Sequence, residues 1–164
     1  MNTKELVRIS LMGCVQFLLF YMFSDILYVE VITIITIIFA LIFSKKEAII
    51  ASIIFGLLNI ILKQGITTWS IMYFIIYPMY SLIIGIFKSK LLNSKIMIVV
   101  VCFIFSFMTG QLLQLPYMLI SKNITIYYII IGFKTSIIQA TITSCICYFI
   151  NEVLINVLKK IKGR

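Results

Sequence analysis

Apolar residues gather into six long runs separated by short polar gaps: Ile9–Phe23, Ile26–Phe43, Ala48–Leu62, Trp69–Phe87, Ile96–Ile120 and Ile126–Leu158. Inside each run the apolar positions are continuous rather than alternating. That pattern predicts helices immersed in lipid and argues against the period-two strands of a membrane barrel. Most runs are near the roughly 17–25 residues that a hydrocarbon core requires. Two, Ile9–Phe23 and Ala48–Leu62, hold only 15 residues each and need flanking Arg8, Lys45, Lys46 and Lys63 to snorkel to the interfaces. The last run is too long, since its 33 residues make about 50 Å of helix. It is expected to cross over about residues 126–150 and to continue, through Asn151 and Glu152, as a cytoplasmic helical extension.

The polar gaps carry a sidedness. With the N-terminus inside, Lys4, Arg8, Lys45, Lys46, Lys88, Lys90, Lys95, Lys159, Lys160, Lys162 and Arg164 all fall inside. Of the 14 basic residues only Lys63 and Lys122 fall outside, and Lys134 lies within the last run. This bias is the one expected of an inserted multi-pass protein, and five spans would break it. The fold expected is therefore an all-α integral membrane protein of six transmembrane helices with both termini cytoplasmic, in the cell membrane. Composition agrees: 63% hydrophobic residues leave too little polar surface to cover a soluble globule. One membrane domain, 1–164, is expected, with no soluble domain and no cleavable signal peptide. The net charge of +9 sets orientation and meets anionic headgroups, so no nucleic-acid partner is expected.

Absences narrow the chemistry. Without histidine, the Ser/His and Cys/His nucleophile arrangements and the zinc-protease ligands have no source. No glycine-rich phosphate loop occurs. Glu30 stands alone among the acids well inside a span, with Asp25 in an outer turn, so no carboxylate pair serves acid–base work. Cys14, Cys102, Cys145 and Cys147 fall in cytoplasmic halves and read as small packing residues. Neither an enzyme nor a metal or cofactor site is expected; a binder, a pathway or a scaffold is.

Polarity within the spans concentrates in the outer half, around helices four to six. Trp69, Tyr73, Tyr77 and Tyr80 step by four, four and three, making one aromatic stripe. It serves either to stack a planar ligand or as an interfacial belt with packing below. Gln111 and Gln114 share a face, and either bind ligand or tie neighbouring helices together. Thr135 and Gln139 share a face near that of Lys134. Lys134 itself lies about 12 Å of helical rise below the start of its run. Three readings stay open for it: a link to Glu30, a receptor for an anionic group of a ligand, or a snorkelling side chain. In the first helix Ser10 and Cys14, four apart with Gly13 beside them, form a small-residue face for packing or for docking another membrane subunit.

Together these features resemble the substrate-binding S component of an energy-coupling-factor (ECF) vitamin transporter. The resemblance runs over nearly the whole chain. It rests on the six-span layout, the Leu6–Cys14 opening, the Phe43-Ser44-Lys45-Lys46-Glu47 turn, Thr68-Trp69 through Tyr77-Pro78, and Gln114-Leu115-Pro116-Tyr117. It implies an S-component-like bundle with an outward pocket between helices four to six and the outer loops. It implies docking through Ser10, Gly13 and Cys14, where the family often has alanines. Cobalt and nickel members use an N-terminal histidine, absent here, so an organic micronutrient is implied. The substrate-binding residues expected are Trp69, Tyr73, Tyr77, Gln111, Gln114, Lys134, Gln139 and Glu30. The partners implied are a transmembrane coupling subunit and two cytoplasmic ATPases, which hydrolyse ATP while the S component topples to release its substrate. A rival reading is a non-catalytic scaffold similar to the rod-shape-determining proteins of cell-wall elongation, which the Ser44–Leu62 region also fits.

Overall fold

The computed structural model describes residues 2–162, so Arg164, counted above among the inner charges, lies outside them. Among the described residues the chain forms six α-helices and no strand: α1 Thr3–Phe23, α2 Val31–Ile42, α3 Lys45–Asn59, α4 Thr68–Leu91, α5 Lys95–Leu112 and α6 Lys122–Lys162. A π-helical turn, Ile60–Gln64, extends α3, and a 3-10 turn, Leu115–Leu119, follows α5. Five helical segments are long and apolar enough to cross a membrane; α2 is shorter, with 12 residues.

Polar sequence at the gaps starts the helices. Ser44 and Glu47 form a reciprocal cap on α3: Glu47 N–H donates to Ser44 Oγ at 3.3 Å, and Ser44 N–H to Glu47 Oε2 at 2.8 Å. Thr67 and Ser70 do the same for α4, at 3.1 and 2.9 Å. Caps let polar residues join the helices, which resolves the two marginal runs. The first becomes 21 helical residues by taking in Thr3–Arg8, and the third, with its π turn, spans 20. Arg8 and Glu47 then pair across α1 and α3.

The short helix is the centre of the bundle. α2 touches all five of the others, and every residue from Ile32 to Ile42 is buried. A helix apolar on all faces belongs in such a core. Its last carbonyls are capped by lysines from two neighbours: Lys88 donates to Ile42 O at 3.1 Å and Phe43 O at 2.9 Å, and Lys162 to Ile42 O at 2.7 Å. Cations at a helix C-terminus also complement its dipole.

Around α2, small residues set the close approaches. A Cβ on Gly13 would sit 2.6 Å from Ile54 Cγ2, and one on Gly56 would sit 2.8 Å from Phe74 Cα. Those gaps let α1 lie against α3 and α3 against α4. Ser52 and Ser81 add a buried hydrogen bond of 2.8 Å across the second contact. α5 packs along α6, with Ser136 directly under Gly110.

One expectation about length needs correcting. The second run does not become one helix from Ile26 to Phe43. Residues 24–28 turn, Tyr28 takes a left-handed φ of 64°, and Glu30 is extended before α2 begins. The resulting helix is about 18 Å long, well short of a hydrocarbon core of roughly 30 Å. The fifth run keeps its expected length as the segment Lys95–Leu119, in which α5 gives way after Leu112 to the 3-10 turn that holds Pro116. In contrast, the C-terminal extension is one continuous helix with the last span, 41 residues and about 61 Å long.

Candidate functional site

One end of the bundle holds the start of α1 and the end of α6. At the opposite end the missing upper part of α2 leaves a cavity of about 300 Å³. The turn and extended segment from Ser24 to Val31 forms one wall. Phe20 and Phe23 of α1, Gln64 of the π turn, Trp69, Tyr73 and Tyr77 of α4, Thr109 of α5 and Gln139 of α6 supply the rest. Non-helical backbone is tolerated at membrane depth where it lines a cavity, and this segment does so along its length.

Glu30 sits on the cavity wall at the foot of that segment. Its carboxylate accepts four hydrogen bonds, two on each oxygen. Thr33 Oγ1 at 2.5 Å and Tyr77 OH at 2.8 Å donate to Oε1. Ser106 Oγ at 2.5 Å and Gln139 Nε2 at 3.0 Å donate to Oε2. α2, α4, α5 and α6 thus converge on one acid, and all four donors are neutral. Among the described residues no lysine or arginine lies within ion-pair distance of it.

Aromatic rings line the cavity beside it. Tyr73 and Tyr77 stack with centroids 5.8 Å apart, and Phe20 meets Tyr73 edge-on at 5.4 Å. Trp69 stands at the exposed end of the stripe, about half exposed. Tyr80, the deepest member, leaves the cavity. It donates to Phe105 O at 3.1 Å, accepts from Thr109 Oγ1 at 3.2 Å, and stacks on the Phe105 ring. Lys63, on the π turn at the rim, donates to Ser24 Oγ and lies 5.0 and 4.8 Å from the Phe20 and Tyr21 ring centroids.

The cavity therefore brings together Glu30, Trp69, Tyr73, Tyr77 and Gln139 from the residues expected at the site. Gln114 lines a second cavity of about 250 Å³ between α5 and α6, which shares Gln139 with the first. Gln111 donates to Ser136 Oγ at 2.8 Å, and so ties α5 to α6. Lys134 is exposed on α6 and lines neither cavity. The link to Glu30 considered for it is not formed; Glu30 is held by Thr33, Tyr77, Ser106 and Gln139. On α1, Ser10 and Cys14 are exposed, whereas Gly13 is buried against Ile54 and Ala51 of α3. A residue one step before Cys14 is rotated by about 100°, which turns Gly13 inward.

Sequence reasoning missed Tyr28, Gln64, Ser106 and Thr109. Ser106 and Thr109, three apart in an otherwise apolar run, carried a detectable signal because they share one helical face. Tyr28 and Gln64 carried none, since a left-handed turn and a π turn put them there. No protein-family model matches the chain, and no curated protein or solved structure matches it either.

Proposed function

We propose that this chain is the substrate-specificity component of an importer of the energy-coupling-factor type. In that reading it crosses the cell membrane six times with both termini in the cytoplasm. The Glu30 cavity faces outward and receives an organic micronutrient, a vitamin or a precursor. One observation carries the proposal: the central helix starts late, and the non-helical segment before it walls a cavity furnished with a carboxyl group, an amide and three aromatic side chains from α4. A bundle built only for scaffolding gains nothing from this arrangement, because backbone released from a helix in lipid costs several kcal/mol for each unsatisfied group.

The cavity volume is at the lower end of the about 300–1,000 Å³ common for small-molecule sites. The substrate site comprises Glu30, Trp69, Tyr73, Tyr77 and Gln139, with Gln114 in the adjoining cavity. The aromatic rings stack a planar group while the carboxylate and the Gln139 amide fix its polar edge. A transmembrane coupling subunit docks on the face of α1 that carries Ser10 and Cys14. Two cytoplasmic ATPases power release as the bundle topples. The charge pattern supports this orientation, since Lys45, Lys46, Lys88, Lys90, Lys95, Lys159, Lys160 and Lys162 gather at the end away from the cavity.

Native mass spectrometry of protein purified in mild detergent from cells grown in rich medium tests the binding role. A retained small molecule, lost in a Tyr73→Leu variant, is the expected result. Protein that is consistently empty, and unresponsive to a panel of vitamins, would favour the cell-wall scaffold instead.

A further inference from the structure

We infer that the ligand of the Glu30 cavity is an organic cation, with its positive nitrogen against Glu30 and the aromatic rings beside it; this rests on the substrate-binding reading above. The carboxylate is the acidic group of the lining, and the lining contains no basic side chain. Its four hydrogen-bond partners are all neutral, so none of them supplies a positive charge to it. An ionised group within a membrane bundle ordinarily has a counter-charge, because the desolvation cost is otherwise uncompensated. The basic residues that could serve are engaged or turned away. Lys63 is held by Ser24 and the rings of Phe20 and Tyr21, and Lys134 is exposed on α6. Without a counter-charge, burial favours the neutral acid, so a cationic occupant is the partner that lets Glu30 ionise.

The aromatic wall fits the same chemistry. Ring faces attract ammonium and heteroaromatic cations, and the effect grows where water is excluded. Phe20, Tyr73, Tyr77 and Trp69 line the space alongside Glu30. Lys63, which approaches within 5.0 Å of the Phe20 ring from outside, shows the same attraction at the rim. A carboxylate or phosphate group on the ligand would meet Glu30 with like charge and the electron-rich faces of the rings. This reverses the charge expected of a ligand received by Lys134.

Trp69 is the single tryptophan of the chain and lies at the cavity, so its fluorescence reports occupancy without a label. The test titrates protein in lipid nanodiscs with three probes that share a ring and differ in charge: 2-phenylethylammonium, 2-phenylethanol and phenylacetate. In parallel, any co-purified molecule is identified by mass. The expected result is saturable quenching by the ammonium probe, at least tenfold tighter than by the alcohol, with phenylacetate silent. Glu30→Gln should weaken the ammonium probe tenfold or more and leave the alcohol within about threefold. Tyr73→Leu, which keeps Glu30 and its four partners, should weaken the ammonium probe more than the alcohol, and so covers a Glu30 variant that fails to fold. Tighter binding of the neutral or anionic probe, or a neutral or anionic co-purified ligand, would overturn the cation assignment and leave the substrate-binding reading standing. Silence toward all three probes together with an empty protein would overturn both.

Discussion

Glu30 shows how the sequence can single out a residue without naming its partners. Its place in an apolar run marks it as functional or paired, since an acid at that depth is costly. The partners come from Thr33 nearby and from Tyr77, Ser106 and Gln139 on three other helices, so only the folded bundle names them. Three of these bonds tie the start of α2 to another helix. Tyr77→Phe keeps the buried ring and removes one donor. We expect it to lower stability by about 1–2 kcal/mol, between the range for bonds to charged groups and the smaller values typical of interhelical bonds in lipid. Thermal unfolding in detergent measures this. Lys134→Ala is the contrasting case: with its side chain exposed and unpaired among the described residues, the change should be within about 0.5 kcal/mol. A loss comparable to that of Tyr77→Phe would place Lys134 in a contact that the present arrangement does not contain.

At the scale of elements, α2 is the piece whose length matters most. Its late start leaves the cavity open, and its first residues, Val31 and Ile32, line it. The helices around it are spaced by small residues rather than by polar ones. Gly56 faces the backbone of Phe74, where a Cβ would sit 2.8 Å from Cα, so the conflict cannot be relieved by a rotamer change. Gly56→Ala should therefore force α3 away from α4 and cost about 1–3 kcal/mol, read from the same unfolding assay. Because α4 carries Trp69, Tyr73 and Tyr77, the substitution should also shift the Trp69 emission maximum. An unchanged spectrum and an unchanged melting temperature would show that α3 and α4 can separate freely. The capping pairs Ser44–Glu47 and Thr67–Ser70 were legible in the sequence as polar residues three apart before apolar runs.

For the whole molecule, the distribution of lysines yields a sided prediction. Lys122 and Lys90 are both exposed and lie at opposite ends of the bundle, at the start of α6 and the end of α4. In a background with the free cysteines replaced by serine, Lys122→Cys should react with a membrane-impermeant maleimide in intact cells. Lys90→Cys should react only after the membrane is opened. Equal reactivity of both in intact cells would remove the six-span, termini-inside orientation, and with it the outward-facing cavity. At the other end of the bundle Val7 and Leu11 of α1, Leu158 and Ile161 of α6, and Phe39 and Phe43 line an apolar groove.

Six apolar segments, their helical state and the lopsided placement of lysine are properties of local composition, and so the sequence alone determines them. Hydrophobic length and the positions of charge do not depend on what packs beside them. It also marks the α4 aromatic stripe and the isolation of Glu30, because helical periodicity is a local rule. Three features depend on distant neighbours: where the second run stops being helical, which side chains hold Glu30, and whether Lys134 or Gly13 faces in or out. The segment before α2 lines its cavity together with side chains from α1, α4, α5 and α6, and the Glu30 bonds join residues up to 109 positions apart. Those features were decided by tertiary packing, since a buried polar group takes its partners from whatever the bundle brings within reach.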